Sequence, residues 1–124
     1  KRAVGIGDGW RVGNPCAVWL KQQGAEGSRV TLESGNLSAA LRAADIIISG
    51  TGSPHLIKPE MLKSGVVLID AGTSESDGAI VGDADPACAE KCSLFTPVPG
   101  GVGPLAVAYL FKNVVTLAER AMNI

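Results

Sequence analysis

The sequence predicts an α/β fold: a Rossmann-like, doubly wound, mainly parallel sheet forming a single domain. Three observations carry this expectation. Short β-branched runs without polar alternation, clearest in Asp45-Ile46-Ile47-Ile48-Ser49, are the pattern of parallel strands covered on both faces. Helical stretches separate these runs at a steady pace, as strand–helix–strand units require. Hydrophobic residues make up 46% of the 124 residues but aromatic ones only 4%, beside 16 glycines. A core of small aliphatic side chains suits tightly packed α/β layers, and this length supports one domain with one core.

Each element follows in order. Arg2 to Ile6 is a first strand feeding into glycines. Asn14-Pro15 resembles a helix N-cap followed by proline in the first turn, and Gly24 stops that helix after about Gln23. Arg29 to Leu32 is the second strand, and Leu37 to Ala44 a short helix with Ser38 near its start. The isoleucine run at Asp45 to Ser49 is the third strand; a short helix over Pro59 to Lys63 leads to another buried strand at Val66 to Ile69. Ser76-Asp77-Gly78 reads as a turn and Ala79 to Val81 as a brief extended segment. Asp85 caps a helical stretch over Pro86 to Lys91, and Ser93 to Phe95 is the last strand. The final helix begins at Val102 or Pro104 and runs to Ala121. Its Val107, Leu110, Phe111, Val114 and Ala118 share one stripe, away from Lys112, Glu119 and Arg120.

Composition excludes several partners. A net charge of −1 with no basic run argues against a nucleic-acid backbone. No apolar run approaches the ~20 residues of a membrane span, and no signal peptide is visible. These features lead us to expect a cytoplasmic protein, with a mitochondrial location also open. A start at Lys1 suggests processing, or a piece of something longer. Cys16, Cys88 and Cys92 are odd in number and form no CxxC pair, which speaks against a disulfide framework or a zinc site and for a reducing compartment. Cys88 and Cys92, four apart, are expected to be packing residues on one helix face. Gly82-Asp83-Ala84-Asp85 could bind a cation on paper, but paired acids in one turn more often cap a helix and hold a loop; no metal is expected. His55, the one histidine, reads as a surface residue.

Four constellations carry chemistry. Gly7-Asp8-Gly9-Trp10-Arg11-Val12-Gly13 lies between the first strand and first helix, where glycines allow a tight turn and free helix amides attract pyrophosphate. The GxGxxxG spacing is also that of an ordinary glycine-rich turn. Glu33 follows the second strand, where an acid can accept hydrogen bonds from adenosine ribose hydroxyls or simply be a solvated loop carboxylate. Gly50-Thr51-Gly52-Ser53-Pro54 and Asp70-Ala71-Gly72-Thr73-Ser74 follow strands three and four, and their small residues leave room for a ring and a ribose. Asp8 adds negative charge to the first turn, which Arg11 or Arg29 could offset. Last comes Thr96-Pro97-Val98-Pro99-Gly100-Gly101-Val102-Gly103-Pro104, whose glycines and prolines give a fixed, exposed surface before a helix. Trp19 lies in an apolar run, Cys16 to Leu20, that circles its helix, so another domain or subunit is expected to cover part of it.

Together these pieces resemble the nucleotide-binding C-terminal domain of the methylenetetrahydrofolate dehydrogenase/cyclohydrolase family. Pro99-Gly100-Gly101-Val102-Gly103-Pro104 matches the family signature without a change. Val12-Gly13-Asn14-Pro15, Gly82-Asp83-Ala84-Asp85 and Thr96-Pro97-Val98 fit in the same order, and the resemblance covers almost the whole chain. It implies a cofactor site at Gly7, Asp8, Gly9, Val12, Gly13, Glu33, Gly50, Thr51 and Gly52, with Thr73 near the nicotinamide. It implies a folate-facing wall at Pro99, Gly100, Gly101, Val102, Gly103, Pro104, Leu105, Ala106 and Val107. The family oxidises methylene-tetrahydrofolate by hydride transfer to NADP or NAD and hydrolyses the product to 10-formyl-tetrahydrofolate. Its catalytic lysine belongs to an N-terminal domain, so no catalytic residue is expected here and the chain alone should not complete the reaction. Members are usually homodimers. Departures bear on the cofactor: Asp8-Gly9 replaces a frequent Arg-Ser, Glu33-Ser34-Gly35 shortens a run that normally holds the 2′-phosphate, Asp70 to Ser74 lacks the usual Gly-Ile-Asn ending, and Ala106 replaces threonine. The acids lean towards NAD; they also leave room for a second reading, a non-catalytic binding module that keeps the fold with weakened cofactor affinity.

Overall fold

A computed structural model describes residues 1–123. The elements are β1 (Arg2–Ile6), α1 (Gly13–Gln22), β2 (Glu26–Val30), α2 (Leu37–Ala43), β3 (Ile46–Ser49), β4 (Val66–Asp70), β5 (Ser74–Ser76), β6 (Ala79–Val81), β7 (Cys92–Phe95) and α3 (Val102–Ala121), with 3-10 turns at Leu32–Ser34, Pro59–Met61 and Pro86–Lys91. Five strands pair in the order β2-β1-β3-β4-β7, every neighbour parallel, while β5 and β6 form a separate antiparallel hairpin. The chain therefore winds one way from β1 to β2 and the other way from β3 onward. That reversal places a crevice outside the carboxyl ends of β1 and β3, the position where open α/β sheets bind ligands.

One face of the sheet is closed. Val4, Ile6, Ile47, Val66 and Leu68 point into a core completed by Leu41 of α2, Ile57, Leu62 and Cys88, all buried. Burial pushes the Cys88 thiol up to about 11, as expected of an inert packing residue. The other face is only partly covered. α1 lies over β2 and β1, and Ile46, Ile48, Val67 and Ile69 stay half-buried. The isoleucine run is thus less enclosed than its composition suggests.

Other differences from the sequence expectations have local causes. β2 spans 26–30 rather than 29–32 because it pairs residue by residue with β1, Arg2 opposite Glu26 through Ile6 opposite Val30. Thr31 then turns into the Leu32–Ser34 segment, with Ser34 Oγ donating to its carbonyl at 2.6 Å. Asn14 does not cap α1: Val12 precedes the helix, and the Asn14 side chain donates to Asp8 O at 2.9 Å and accepts from Arg29. The stretch after Lys58 makes only a 3-10 turn, ending at Met61. Cys92 opens β7 rather than sharing a helix face with Cys88. Asp85 caps its turn as expected, accepting from Ala87 N at 3.0 Å. The apolar stripe of α3 stays exposed: among the described residues none of that helix is buried, and Phe111 is 68% exposed. No described helix is long and apolar enough to cross a membrane.

Asp45 ties the amino ends of two strands together. Its carboxylate accepts from Arg2 N at 2.7 Å and pairs with Lys63, and these contacts, the lysine first, hold its carboxyl down at about 2 from the usual 3.8. A depressed carboxyl adds stability that is present above the unfolded value and is lost as pH falls through the folded one. Asp45→Asn should therefore lower the thermal midpoint at neutral pH and flatten its fall between about pH 4 and pH 2. Thermal melts of both proteins across that range check it.

Candidate functional site

The turn after β1 is closed by contact rather than by side chains. A Cβ on Gly13 would lie 2.3 Å from the Gly7 carbonyl oxygen, so only glycine lets α1 start this close to the strand. Beside it, Val12 leans over Gly50 at the end of β3, where a Cβ would meet its side chain at 2.7 Å. The β1 and β3 loops thus enclose a cavity of about 280 Å³. Gly7, Asp8 and Gly9 form one side of it, Gly50 and Thr51 another, and Thr31, Leu32 and Glu33 the third. Two carboxylates, Asp8 and Glu33, are the charged groups on its rim.

A second cavity, of about 540 Å³, opens next to it. Arg11 and Val12 border it on the β1 side, and Asp70, Ala71, Gly72 and Thr73 on the β4 side. The opposite wall is the loop from Pro97 to Pro104 with Ala106, and Ile80 of the hairpin closes an edge. Thr96 fastens that loop to β4, its Oγ1 accepting from Asp70 N at 2.8 Å. Of the residues singled out from sequence, Gly13 and Gly52 lie outside both cavities, Gly13 packed against the Gly7 carbonyl and Gly52 with its own carbonyl held by Ser74 Oγ at 2.8 Å. Leu105 and Val107 also lie outside, since the helix turns them to solvent.

Beneath both cavities lie two buried carboxylates, at residues 70 and 83. Asp70 Oδ1 accepts from Gly72 N at 2.9 Å and Asp83 N at 3.2 Å, and its Oδ2 accepts from Ala84 N at 2.8 Å. Asp83 Oδ2 accepts from Ser49 Oγ at 2.6 Å and Thr51 N at 2.7 Å, and its Oδ1 from Ser53 N at 3.1 Å. Burial pushes the Asp70 carboxyl up, against the pull of those three amides, and the neighbouring Asp83 charge pushes the same way. Glycines make the room: a Cβ on Gly72 would sit 2.1 Å from Asp83 Oδ1, and one on Gly82 would sit 2.2 Å from Asp70 Oδ2. Sequence reasoning placed Asp70 in a crevice loop and Asp83 in a capping turn, and missed their joint role. Two acids, each within two residues of a glycine and at the ends of neighbouring segments, were the available signal. Asp85, the other acid of that turn, bonds Lys58 at 3.1 Å. His55 sits in a left-handed turn, its amide on Gly82 O at 3.1 Å.

Residues 1–122 match the family described as tetrahydrofolate dehydrogenase/cyclohydrolase, NAD(P)-binding domain. The chain belongs to this family. The bifunctional protein FolD of Thermomicrobium roseum is 42% identical over 118 residues, which are 95% of this chain and 41% of that protein. The crystal structure of the bifunctional FolD enzyme from Campylobacter jejuni superposes with a TM-score of 0.92 at 40% identity, over 96% of this chain and 43% of that one. The Trypanosoma brucei enzyme, solved with NADP cofactor and an inhibitor, gives a TM-score of 0.92 at 34% identity over 100% of this chain and 45% of that one. The chain thus spans less than half the length of these members of the tetrahydrofolate dehydrogenase/cyclohydrolase family.

Within this family domain, the carboxylate pair makes a stability prediction. An asparagine at 83 offers one accepting oxygen, so its amide nitrogen must face the Thr51 or the Ser53 N–H. Asp83→Asn should destabilise the fold by about 1–3 kcal/mol, the cost of a buried donor left without a partner. Gly72→Ala should destabilise it too, by displacing Asp83, whereas Gly9→Ala, with open space around it, should leave stability near wild type. Urea unfolding of the three variants measures the order.

Proposed function

We propose that residues 1–124 form the single nucleotide-binding domain of a methylenetetrahydrofolate dehydrogenase/cyclohydrolase, and that its cofactor is NAD. The observation that carries this reading is the pair of adjoining cavities at the switch between β1 and β3, in a chain of this family. An adenosine ribose fits the first, within reach of Glu33. A diphosphate would run over Gly7 to Gly9, and a nicotinamide would enter the second cavity beside Thr73. The folate substrate would lie against Pro99 to Pro104 and Ala106. Bound nicotinamide would accept the hydride of 5,10-methylene-tetrahydrofolate; the methenyl product would then be hydrolysed to 10-formyl-tetrahydrofolate.

This chain's part in that chemistry is to bind and orient. Among the described residues lining the second cavity the one carboxylate, Asp70, is fully engaged by backbone amides, and the other charged group is Arg11. The acid–base groups of the reaction would come from the part of the enzyme that this chain does not span. Exposed apolar side chains on α1 and α3, Trp19 and Leu110 among them, suit burial against that part or against a second copy in a homodimer.

The choice of NAD rests on charge. Asp8 and Glu33 both border the cavity that would take the adenosine ribose. A 2′-phosphate there would meet two like charges, each worth on the order of 1 kcal/mol once solvent and salt screen them. NAD should therefore bind at least about tenfold more tightly than NADP, read from tryptophan fluorescence on titration. Glu33→Ala should narrow that gap, and Asp8→Arg should narrow it further by adding a phosphate partner. An unchanged preference in Glu33→Ala would remove the ribose role. A folded protein that answers to neither nucleotide would favour the non-catalytic module, for which the exposed faces of α1 and α3 speak.

A further inference from the structure

The two cavities of the cleft differ sharply in charge, and one side chain lies where they meet. Gly9 borders the first cavity and Val12 the second, so the chain between them forms the ridge that a ligand occupying both must cross. Arg11 sits on that ridge and lines the second cavity; among the described residues it is the only cationic side chain bordering either one. Several other basic groups are committed elsewhere. Arg29 donates to Asn14 Oδ1 behind the turn, Arg42 to Glu60 O at 3.4 Å, and Lys58 and Lys63 pair with Asp85 and Asp45. Arg11 makes no ion pair among the described residues.

We infer that Arg11 is the diphosphate contact of this cleft, a specificity-determining side chain that offsets the acidic ribose end. The inference rests on the dinucleotide reading above and adds to it the group that recognises the bridging anion. A dinucleotide with an adenosine in the first cavity and a nicotinamide in the second carries its two phosphates across the ridge. Without a cation there, the nearest charges to them would be Asp8 and Glu33. A guanidinium can donate two parallel hydrogen bonds to phosphate oxygens, a geometry that a lysine ammonium does not reproduce. The cleft then selects for a diphosphate in its middle and against a phosphate on the ribose at its end.

Titration of wild type, Arg11→Ala and Arg11→Lys with NAD, ADP-ribose and adenosine separates the possibilities. Arg11→Ala should bind NAD and ADP-ribose about tenfold more weakly, with a shallower salt dependence, and should bind adenosine as wild type does. Arg11→Lys should recover part of the loss. Equal binding of ADP-ribose by wild type and Arg11→Ala would overturn the inference while leaving the dinucleotide reading intact. Equal weakening of adenosine would also overturn it, by showing that the variant disturbs the cavity rather than an anion contact. Failure of folded wild-type protein to bind NAD or ADP-ribose would overturn the dinucleotide reading and this inference with it.

Discussion

Two carboxylates buried side by side hold the carboxyl end of this sheet together. Like charges in a low-dielectric interior repel, and each would be costly to bury alone. Asp70 and Asp83 are tolerated because six donors converge on them, five of which are backbone amides and one the Ser49 hydroxyl. Those donors come from the ends of β3 and β4 and from the segment after the hairpin, so the pair fixes three loops relative to one another. Thr51 borders the first cavity and Gly72 the second, which makes the spacing of the two cavities a consequence of this one arrangement.

The surface of the cleft follows a different logic from its floor. Below, charge is consumed by the protein's own amides and faces no ligand. Above, Asp8, Glu33 and Arg11 are exposed and uncommitted, and they divide the cleft into an acidic end and a basic middle. In a chain with a net charge of −1, such a division comes from placement rather than from overall charge. The Gly7–Gly13 turn makes it possible, because a start of α1 so close to β1 brings residues 8, 9, 11 and 12 to the mouth of the crevice.

Much of this was legible in the sequence where local pattern and tertiary context agree. β1, β3 and β4 are apolar runs ending in small residues, and the glycine-proline loop names its family by its own residues. β2 was displaced because Glu26-Gly27-Ser28 carries no apolar signal; β1 supplies its register. α3 has clear helical periodicity, yet periodicity cannot say what its stripe will meet, and in this domain it meets solvent. The cavity walls were found largely through glycine spacing, while Leu105 and Val107 were carried along by a motif that continues into the helix. Arg11 was visible only as one of two arginines near an acid. The structure separates the two: Arg11 lines the second cavity, while Arg29 donates to Asn14.

On the reading proposed above, the loops on these two carboxylates form one continuous dinucleotide cleft. A proton–nitrogen correlation spectrum of the protein, recorded through a titration with NAD, tests it at each amide. Saturable shifts are expected in Gly7 to Gly13, Thr31 to Glu33, Gly50, Thr51, Gly72, Thr73 and the loop from Val98 to Gly103, with α3 beyond Val107 and Trp19 undisturbed. A folded spectrum that does not respond, or shifts centred on Trp19 and the exposed face of α3, would contradict it.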